Sequence, residues 1–166
     1  MATETEQRVL AMLAATEPPP DAAQRIEAMG PEAVNGACEA ALGTYAQLRP
    51  KVRTNAAAIV GRMDNEQARE TLGLLVTDAN EDVATRALRA VGRRDEPLLV
   101  QRAGLVLRRP DISPLLAAEA VNALAATPAR DAARTVLDEY RQLDEDSAPA
   151  HRRHALVQQA LRRAEG

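Results

Sequence analysis

Two histidines lie three residues apart near the end of the chain, His151 and His154. On a helix this spacing lets two imidazoles share a metal ion such as zinc. The residues between them are Arg152 and Arg153, whose positive charges oppose a cation, and the sequence offers no third ligand. We therefore expect the two histidines to cap or pack a helix, and we predict no metal site.

The chain has a single cysteine, Cys38, so it forms no intrachain disulfide. Cys38 lies among apolar residues at helical spacing, and no histidine accompanies it in a catalytic motif. We therefore predict a buried, inert thiol. The sequence also lacks a glycine-rich phosphate loop and a nucleophile elbow. These observations predict a protein that is not an enzyme and that uses no cofactor.

Carboxylates could form a general acid–base pair, but here they lie mainly in turns and at the starts of helices. Asp64, Asp78, Asp95 and Asp111 each precede an apolar-periodic stretch. There a carboxylate can cap free backbone N–H groups and complement the helix dipole. We predict capping, and not catalysis, for all four.

The charge and the aromatic content do not favour a nucleic-acid partner. The formal net charge is −3, and the chain has two tyrosines and neither tryptophan nor phenylalanine. Binding to phosphates needs a continuous basic track, and unpaired bases need aromatic side chains on which to stack. Tyr45 and Tyr140 share apolar stripes with core residues, so we expect both to be partly buried with their hydroxyls at the rim.

The length of 166 residues corresponds to about one domain. With 46% hydrophobic residues the chain can form a core. No run approaches the ~18 apolar residues that a membrane span needs, and the first residues do not read as a secretory signal. We expect a cytoplasmic protein that does not bind a membrane.

Prolines, glycines and apolar spacing divide the chain into helices, and no stretch alternates long enough to be a strand. The predicted fold class is therefore all-α. The predicted helices are residues 4–16, 21–30, 31–48, 51–63, 66–77, 82–93, 97–108, 114–126, 129–143 and 150–164.

The sequence repeats itself at an interval of about one helix pair. Residues 52–62 and 83–93 are identical at six of eleven positions with an offset of 31. A third copy follows at an offset of 33 and places Leu116, Ala120 and Leu124 at the apolar positions. Such periods are typical of stacked helical arrays, in which each unit buries its apolar face against its neighbours.

These copies resemble the HEAT-repeat (armadillo-like) family of α-solenoids, in a short bacterial-type form. In that family an aspartate lies in the turn before the second helix of each pair, and that helix opens with Val-Arg. Here Asp78 lies five residues before Val83, and Asp111 lies five before Leu116. Arg53 follows the first valine, whereas the later copies have alanine at that position.

The resemblance implies a right-handed αα-superhelix of about four helix pairs with capping helices. We predict a single domain over residues 1–166. Within it, residues 1–30 form an N-terminal cap, residues 31–143 the repeats and residues 144–166 a C-terminal cap.

The resemblance also implies that the second helices line a concave face that binds another protein or a peptide. Positions two residues after each core position point away from the core, and they carry groups that can bind carboxylates or a peptide backbone. We therefore predict a protein-binding adaptor or regulatory subunit. The alternatives are an accessory lyase or maturation factor and a purely structural assembly unit. The candidate binding residues are Thr54, Arg62, Thr85, Arg86, Arg89, Arg93 and Asn122.

Overall fold

The computed structural model describes residues 2–166, which form α-helices and no strand. The predicted all-α class is confirmed. The helices are α1 (Glu4–Leu13), α2 (Ala22–Ala28), α3 (Pro31–Leu42), α4 (Pro50–Val60), α5 (Glu66–Leu75), α6 (Glu81–Val91), α7 (Pro97–Arg108), α8 (Pro114–Ala126), α9 (Arg130–Arg141) and α10 (Ala155–Glu165), with a 3₁₀ helix at Ala150–Arg153.

Proline begins four of these helices, α3, α4, α7 and α8. The first helical residue has no partner for its N–H, so a proline there loses nothing and its ring presets a helical φ. These four starts agree with the sequence to within one residue. They set the alternation of first and second helices along the chain.

Two predicted helices end or begin elsewhere. The helix predicted over residues 31–48 stops at Leu42, because Gly43 has a left-handed φ of 78° and closes the C-terminus. The helix predicted over residues 150–164 is interrupted at His154, whose backbone is extended. Residues before His154 form the 3₁₀ helix, and α10 begins only after it.

The predicted capping role of the turn aspartates is wrong. Neutral side chains beside them accept the N–H groups at the helix starts: Asn65 for α5, Asn80 for α6 and Ser113 for α8. Asp78 accepts from the backbone N–H of Asn80 at 2.8 Å and so closes the preceding turn. A short amide or hydroxyl placed directly at the N-cap position reaches the second or third N–H of the helix, which an aspartate further upstream cannot do.

The described residues belong to two compact units, residues 2–75 and Val76–Gly166. In the first unit, α3 packs against α1, α4 and α5, and α4 also contacts α1 and α5. The core of this unit contains Val9, Leu13, Ile26, Val60 and Leu72, all fully buried. The single domain expected over residues 1–166 remains a prediction.

In the second unit the helices pack against their second neighbours along the chain. Helix α6 packs against α8, and α7 packs against α9. Helix α8 also contacts α7, α9 and α10. This order is what stacked helix pairs produce, because first helices meet first helices and second helices meet second helices.

Side-chain bonds within each unit join residues about one sequence repeat apart. In the first unit, Gln67 donates to Asn35, 32 residues away, at 2.7 Å. In the second, the Ser113 hydroxyl donates to Glu81, also 32 residues away, at 2.7 Å. Thr127 donates to the Arg94 carbonyl, 33 residues away, at 2.7 Å. The sequence offsets of 31 and 33 therefore have a direct structural counterpart.

Candidate functional site

An open groove lies between α6 and α8 in the second unit, with a volume of about 230 Å³. Three of the candidate binding residues come together in it: Arg89 from the last turn of α6, Arg93 from the turn after α6, and Asn122 from α8. We call it the α6–α8 groove. Its lining residues are Arg89, Gly92, Arg93, Glu119, Asn122, Ala123 and Ala126.

The turn at the end of α6 and small residues position these side chains. Arg89 lies in the last turn of α6, and Arg93 lies in the turn that follows the helix, where its backbone N–H donates to the Ala90 carbonyl. Gly92 makes the close approach of the helices possible, because a Cβ atom there would lie 3.3 Å from the Cα of Ala123. Gly92, Ala123 and Ala126 form the bottom of the groove, and the longer polar side chains line its sides.

The groove carries two guanidinium groups and one carboxylate, Glu119. The Nη2 atom of Arg89 lies 3.2 Å from Oε1 of Glu119, and both side chains are partly exposed. Asn122 is exposed and adds an amide group that can both donate and accept. The arrangement has a net positive charge, and it suits a ligand that brings carboxylates together with backbone peptide groups.

The other candidate residues do not line this groove. Thr85 is half-buried and Arg86 is exposed, both on α6. Thr54 and Arg62 belong to the first unit. The Thr54 hydroxyl donates to the Pro50 carbonyl one turn earlier, at 3.2 Å, and Arg62 is exposed in the turn after α4.

Sequence reasoning did not include Glu119 among the site residues. The structure shows instead that Glu119 holds Arg89 in place from a position 30 residues away. The sequence did contain a signal for this pair. The two residues are 30 positions apart, close to the repeat offsets of 31 and 33, and residues one repeat apart lie on neighbouring helices.

A second, larger cleft of about 300 Å³ lies where α8, α9 and α10 meet. Arg130 and Arg134 line it, four residues apart and both exposed. Arg141 lines it too, but its guanidinium lies 3.4 Å from both Asp138 and Glu165. This cleft contains none of the candidate residues, and it supplies a matched arginine pair for the experiment below.

Cys38 is buried in the first unit, as the sequence predicts. Burial raises the pKa of its thiol, and a hydrogen bond with Thr71 opposes that rise without cancelling it. A thiol with a raised pKa is a poor nucleophile at neutral pH. The geometry therefore agrees with an inert packing role.

The two histidines have the structural roles that the sequence predicts. His154 caps α10, since its Nδ1 accepts the N–H of Leu156 at 3.2 Å. His151 is buried, and its Nε2 lies 3.2 Å from the Leu107 carbonyl. Because a carbonyl only accepts, Nε2 carries the proton and Nδ1 is left as an acceptor. Burial lowers the pKa of His151, and the hydrogen bond to Leu107 partly offsets this.

We expect acidification from pH 7.5 to 5.5 to lower the free energy of unfolding through His151. In the unfolded chain its pKa is about 6.5, whereas burial lowers it in the folded state. The unfolded state therefore binds the extra proton first, and stability is lost as the pH falls below about 6.5. Urea unfolding at pH 7.5, 6.5 and 5.5 measures this slope.

His151→Gln serves as the control for that slope, because it leaves His154 and all carboxylates unchanged. The variant starts from a lower stability, but its stability changes less between pH 7.5 and 5.5. Equal slopes for the variant and the wild type would show that His151 does not carry the pH dependence.

The expectation for Tyr140 is wrong, whereas Tyr45 fits its prediction. Tyr140 is only 2% exposed, and its hydroxyl is buried with no hydrogen-bond partner among residues 2–166. Burial raises the pKa of Tyr140 to about 12, although the Arg152 charge acts in the opposite direction. The Tyr45 hydroxyl lies at the rim, 3.5 Å from Oε1 of Glu6. The apolar spacing predicted that both rings pack against the core, but it could not predict how deeply each hydroxyl is buried.

Among residues 2–166 no group of three or more histidine, cysteine or acidic side chains is placed to hold a metal ion. No helix in the same range is long and apolar enough to cross a membrane.

Comparison of the chain with protein-family models and with curated protein sequences gives no match. The function is therefore inferred from the residues of the α6–α8 groove.

Proposed function

We propose that this chain is a HEAT-like binding module of the cytoplasm that holds an acidic segment of another protein in the α6–α8 groove. The observation that carries the proposal is the convergence of Arg89, Arg93 and Asn122 in one open groove. The sequence repeat, the packing of α6 on α8 and of α7 on α9, and the side-chain bonds one repeat apart support the superhelix that the module requires.

The chemistry of the groove favours a peptide over a small metabolite. Guanidinium groups bind carboxylates through paired, charge-assisted hydrogen bonds. The groove is open along one side, and its volume of about 230 Å³ is below the ~300–1,000 Å³ of ordinary small-molecule sites. An extended acidic segment can cross such a groove, placing side-chain carboxylates on Arg89 and Arg93 and a backbone amide on Asn122.

The double variant Arg89→Glu/Arg93→Glu tests this proposal. We expect its partner to bind at least a hundredfold more weakly, because each of the two lost hydrogen bonds to a charged group costs ~1.5–3 kcal/mol. Affinity capture with the tagged chain, followed by mass spectrometry, identifies the partner. Titration of the purified partner against the wild type and the variant then measures the affinities. The partly exposed positions predict a change in stability of no more than ~1 kcal/mol.

Arg130→Glu/Arg134→Glu is the matched control. It has the same spacing in sequence and the same change in charge, but its two arginines lie on α9 in the cleft between α8, α9 and α10. The control should retain the partner. Equal losses in both variants would assign the effect to overall charge, and a partner kept by the groove variant would place the binding site elsewhere. A small molecule that co-purifies in place of a protein would contradict the proposed module.

A further inference from the structure

Helix α7 exposes two leucines on one side, although its other apolar residues are buried. Leu98 is 75% exposed and Leu105 is 49% exposed. They are seven residues apart, which is two helical turns, so they form one ridge about 10 Å long. Leu99, Val100, Ala103, Val106 and Leu107 on the same helix face the core. We call Leu98 and Leu105 the α7 ridge.

A cavity of about 160 Å³ lies beside this ridge, between α7 and α9. A cavity of this size has room for about one benzene-sized group, so it can receive one large side chain but not an ordinary ligand. Gly104 and Val136 both line it, and a Cβ atom on Gly104 would lie 2.7 Å from Cγ1 of Val136. Its lining residues are Gln101, Gly104, Leu105, Arg108, Val136, Glu139 and Tyr140.

The charges around the α7 ridge are mainly positive. Helix α7 contains Arg102 and Arg108 and no acidic residue. Arg108 lies 3.2 Å from Glu139 across the cavity, so its charge is partly balanced. Arg102 is exposed between the two leucines, and no ion pair among residues 2–166 involves it. A complementary surface would therefore combine apolar side chains with a flanking carboxylate.

We propose that the α7 ridge and the adjoining cavity bind an amphipathic helix of a partner protein that carries acidic residues beside its apolar side. One apolar side chain of that helix enters the cavity over Val136, and its neighbours one and two turns away cover Leu98 and Leu105. Its carboxylates face Arg102. This surface is on other helices than the α6–α8 groove, so it does not depend on the function proposed for that groove.

A second copy of the chain fits this surface less well than an acidic helix. In an antiparallel pair of α7 helices, Leu98 of one copy would meet Leu105 of the other. The residues midway between them would then lie near the two-fold axis, which brings the two Arg102 side chains together. Helix α7 has no acidic residue to offset that repulsion.

A lipid surface is also less favourable than a helix. Interfacial helices insert a broad apolar face, but α7 offers only Leu98 and Leu105, because its remaining apolar residues are in the core. The cavity beside them is concave, and a bilayer surface presents no protruding side chain to fill it. A protruding side chain of a helix matches this shape better.

The test uses a displayed library of 18-residue helices with leucines at i, i+4, i+7 and i+11 and random residues beside them. The library is selected against the full chain, and the enriched helices are synthesised and titrated by fluorescence anisotropy. We expect enriched helices to have more acidic than basic residues at the random positions. We also expect Leu98→Ser/Leu105→Ser to weaken their binding at least tenfold, and Arg102→Glu to weaken it about fivefold.

Leu115→Ser/Leu156→Ser is the matched control, since these leucines of α8 and α10 are also exposed, at 63% and 44%. It should change the affinity less than twofold, as should Arg89→Glu/Arg93→Glu. Thermal unfolding verifies that every variant is folded. If Leu98→Ser/Leu105→Ser does not fold, Leu98→Ser alone, at the more exposed position, should still weaken binding at least threefold.

Several results would overturn the proposal. One is a library that yields no helix whose binding depends on Leu98 and Leu105. Another is a set of enriched helices with more basic than acidic residues at the random positions. Binding of the chain to phosphatidylglycerol vesicles that is lost in Leu98→Ser/Leu105→Ser would assign the ridge to lipid. A dimer in sedimentation velocity that the same variant abolishes would assign it to a second copy.

Discussion

Replacement of Tyr140 by phenylalanine is expected to stabilise the protein by about 1–3 kcal/mol. The Tyr140 hydroxyl is buried and has no hydrogen-bond partner among residues 2–166, and an unsatisfied buried polar group costs roughly that amount. Tyr140→Phe removes the hydroxyl and leaves the ring stacked against His151, with 6.3 Å between the ring centroids. The melting temperature should rise by about 2–4 °C for each kcal/mol gained in a chain of this length.

Tyr45→Phe is the control for this substitution. The Tyr45 hydroxyl is at the rim of the first unit, close to Glu6, so its loss should change stability by less than ~0.5 kcal/mol. Calorimetric scans of both variants and the wild type give the comparison. A Tyr140→Phe variant that is less stable than the wild type would show that the hydroxyl has a partner in solution.

The same substitution should remove a loss of stability at alkaline pH. The unfolded tyrosine ionises near pH 10, whereas burial raises the pKa of Tyr140 to about 12 in the folded state. Between these values the folded chain holds a proton that the unfolded chain has released. Stability is therefore lost as the pH rises from about 10 to 12, by up to ~3 kcal/mol. Tyr140→Phe should show a smaller loss over that range.

Replacement of Gly104 by alanine is expected to destabilise the protein by about 1–2 kcal/mol, although alanine is the better helix former. The Cβ of the alanine would lie 2.7 Å from Cγ1 of Val136. Valine is stiff at χ1 in a helix, so relief of this overlap must come from a shift of α9 against α7. Overpacking of this kind costs about 1–3 kcal/mol, which exceeds the ~1 kcal/mol that alanine gains over glycine.

Gly36 in α3 offers a control of opposite sign. A Cβ there meets no atom closer than 3.8 Å, so Gly36→Ala should gain about 1 kcal/mol from helix propensity alone. Urea unfolding of the two alanine variants measures the contrast. Adding Val136→Ala to Gly104→Ala should restore most of the loss, which a double-mutant cycle detects. A stabilised Gly104→Ala variant without Val136→Ala would show that α7 and α9 separate easily.

Both functional proposals depend on side chains from helices that the sequence repeat brings together. The repeat alone does not show which of these side chains form a surface. Each second-unit surface lies between helices that are second neighbours along the chain, α6 with α8 and α7 with α9. Glycine at the crossing brings the helices close in each case, through Gly92 and Gly104. The first surface is polar and the second is apolar with a basic flank, so the two are suited to different segments.

Two arginines cap the ends of preceding helices, and local sequence patterns did not predict these contacts. Arg53, which the resemblance places after the valine of the repeat, donates to the carbonyls of Ala41 and Leu42 and so caps the end of α3. Arg152 does the same for α9 through the carbonyls of Arg141 and Leu143. The last carbonyls of any helix lack a partner within it, but the arginine that reaches them is determined by how the chain turns after the helix.

The amino-acid sequence by itself determined the helical class, the proline-started helices, the offsets of 31 and 33, and the burial of Cys38. These features depend on local backbone preferences and on apolar spacing within one or two turns. Only the tertiary structure decided that Arg89, Arg93 and Asn122 share a groove, that the Tyr140 hydroxyl is buried without a partner, and that two leucines of α7 stay exposed. Those outcomes depend on which helices approach each other and how closely, because a side chain's environment is made by residues about 30 positions away.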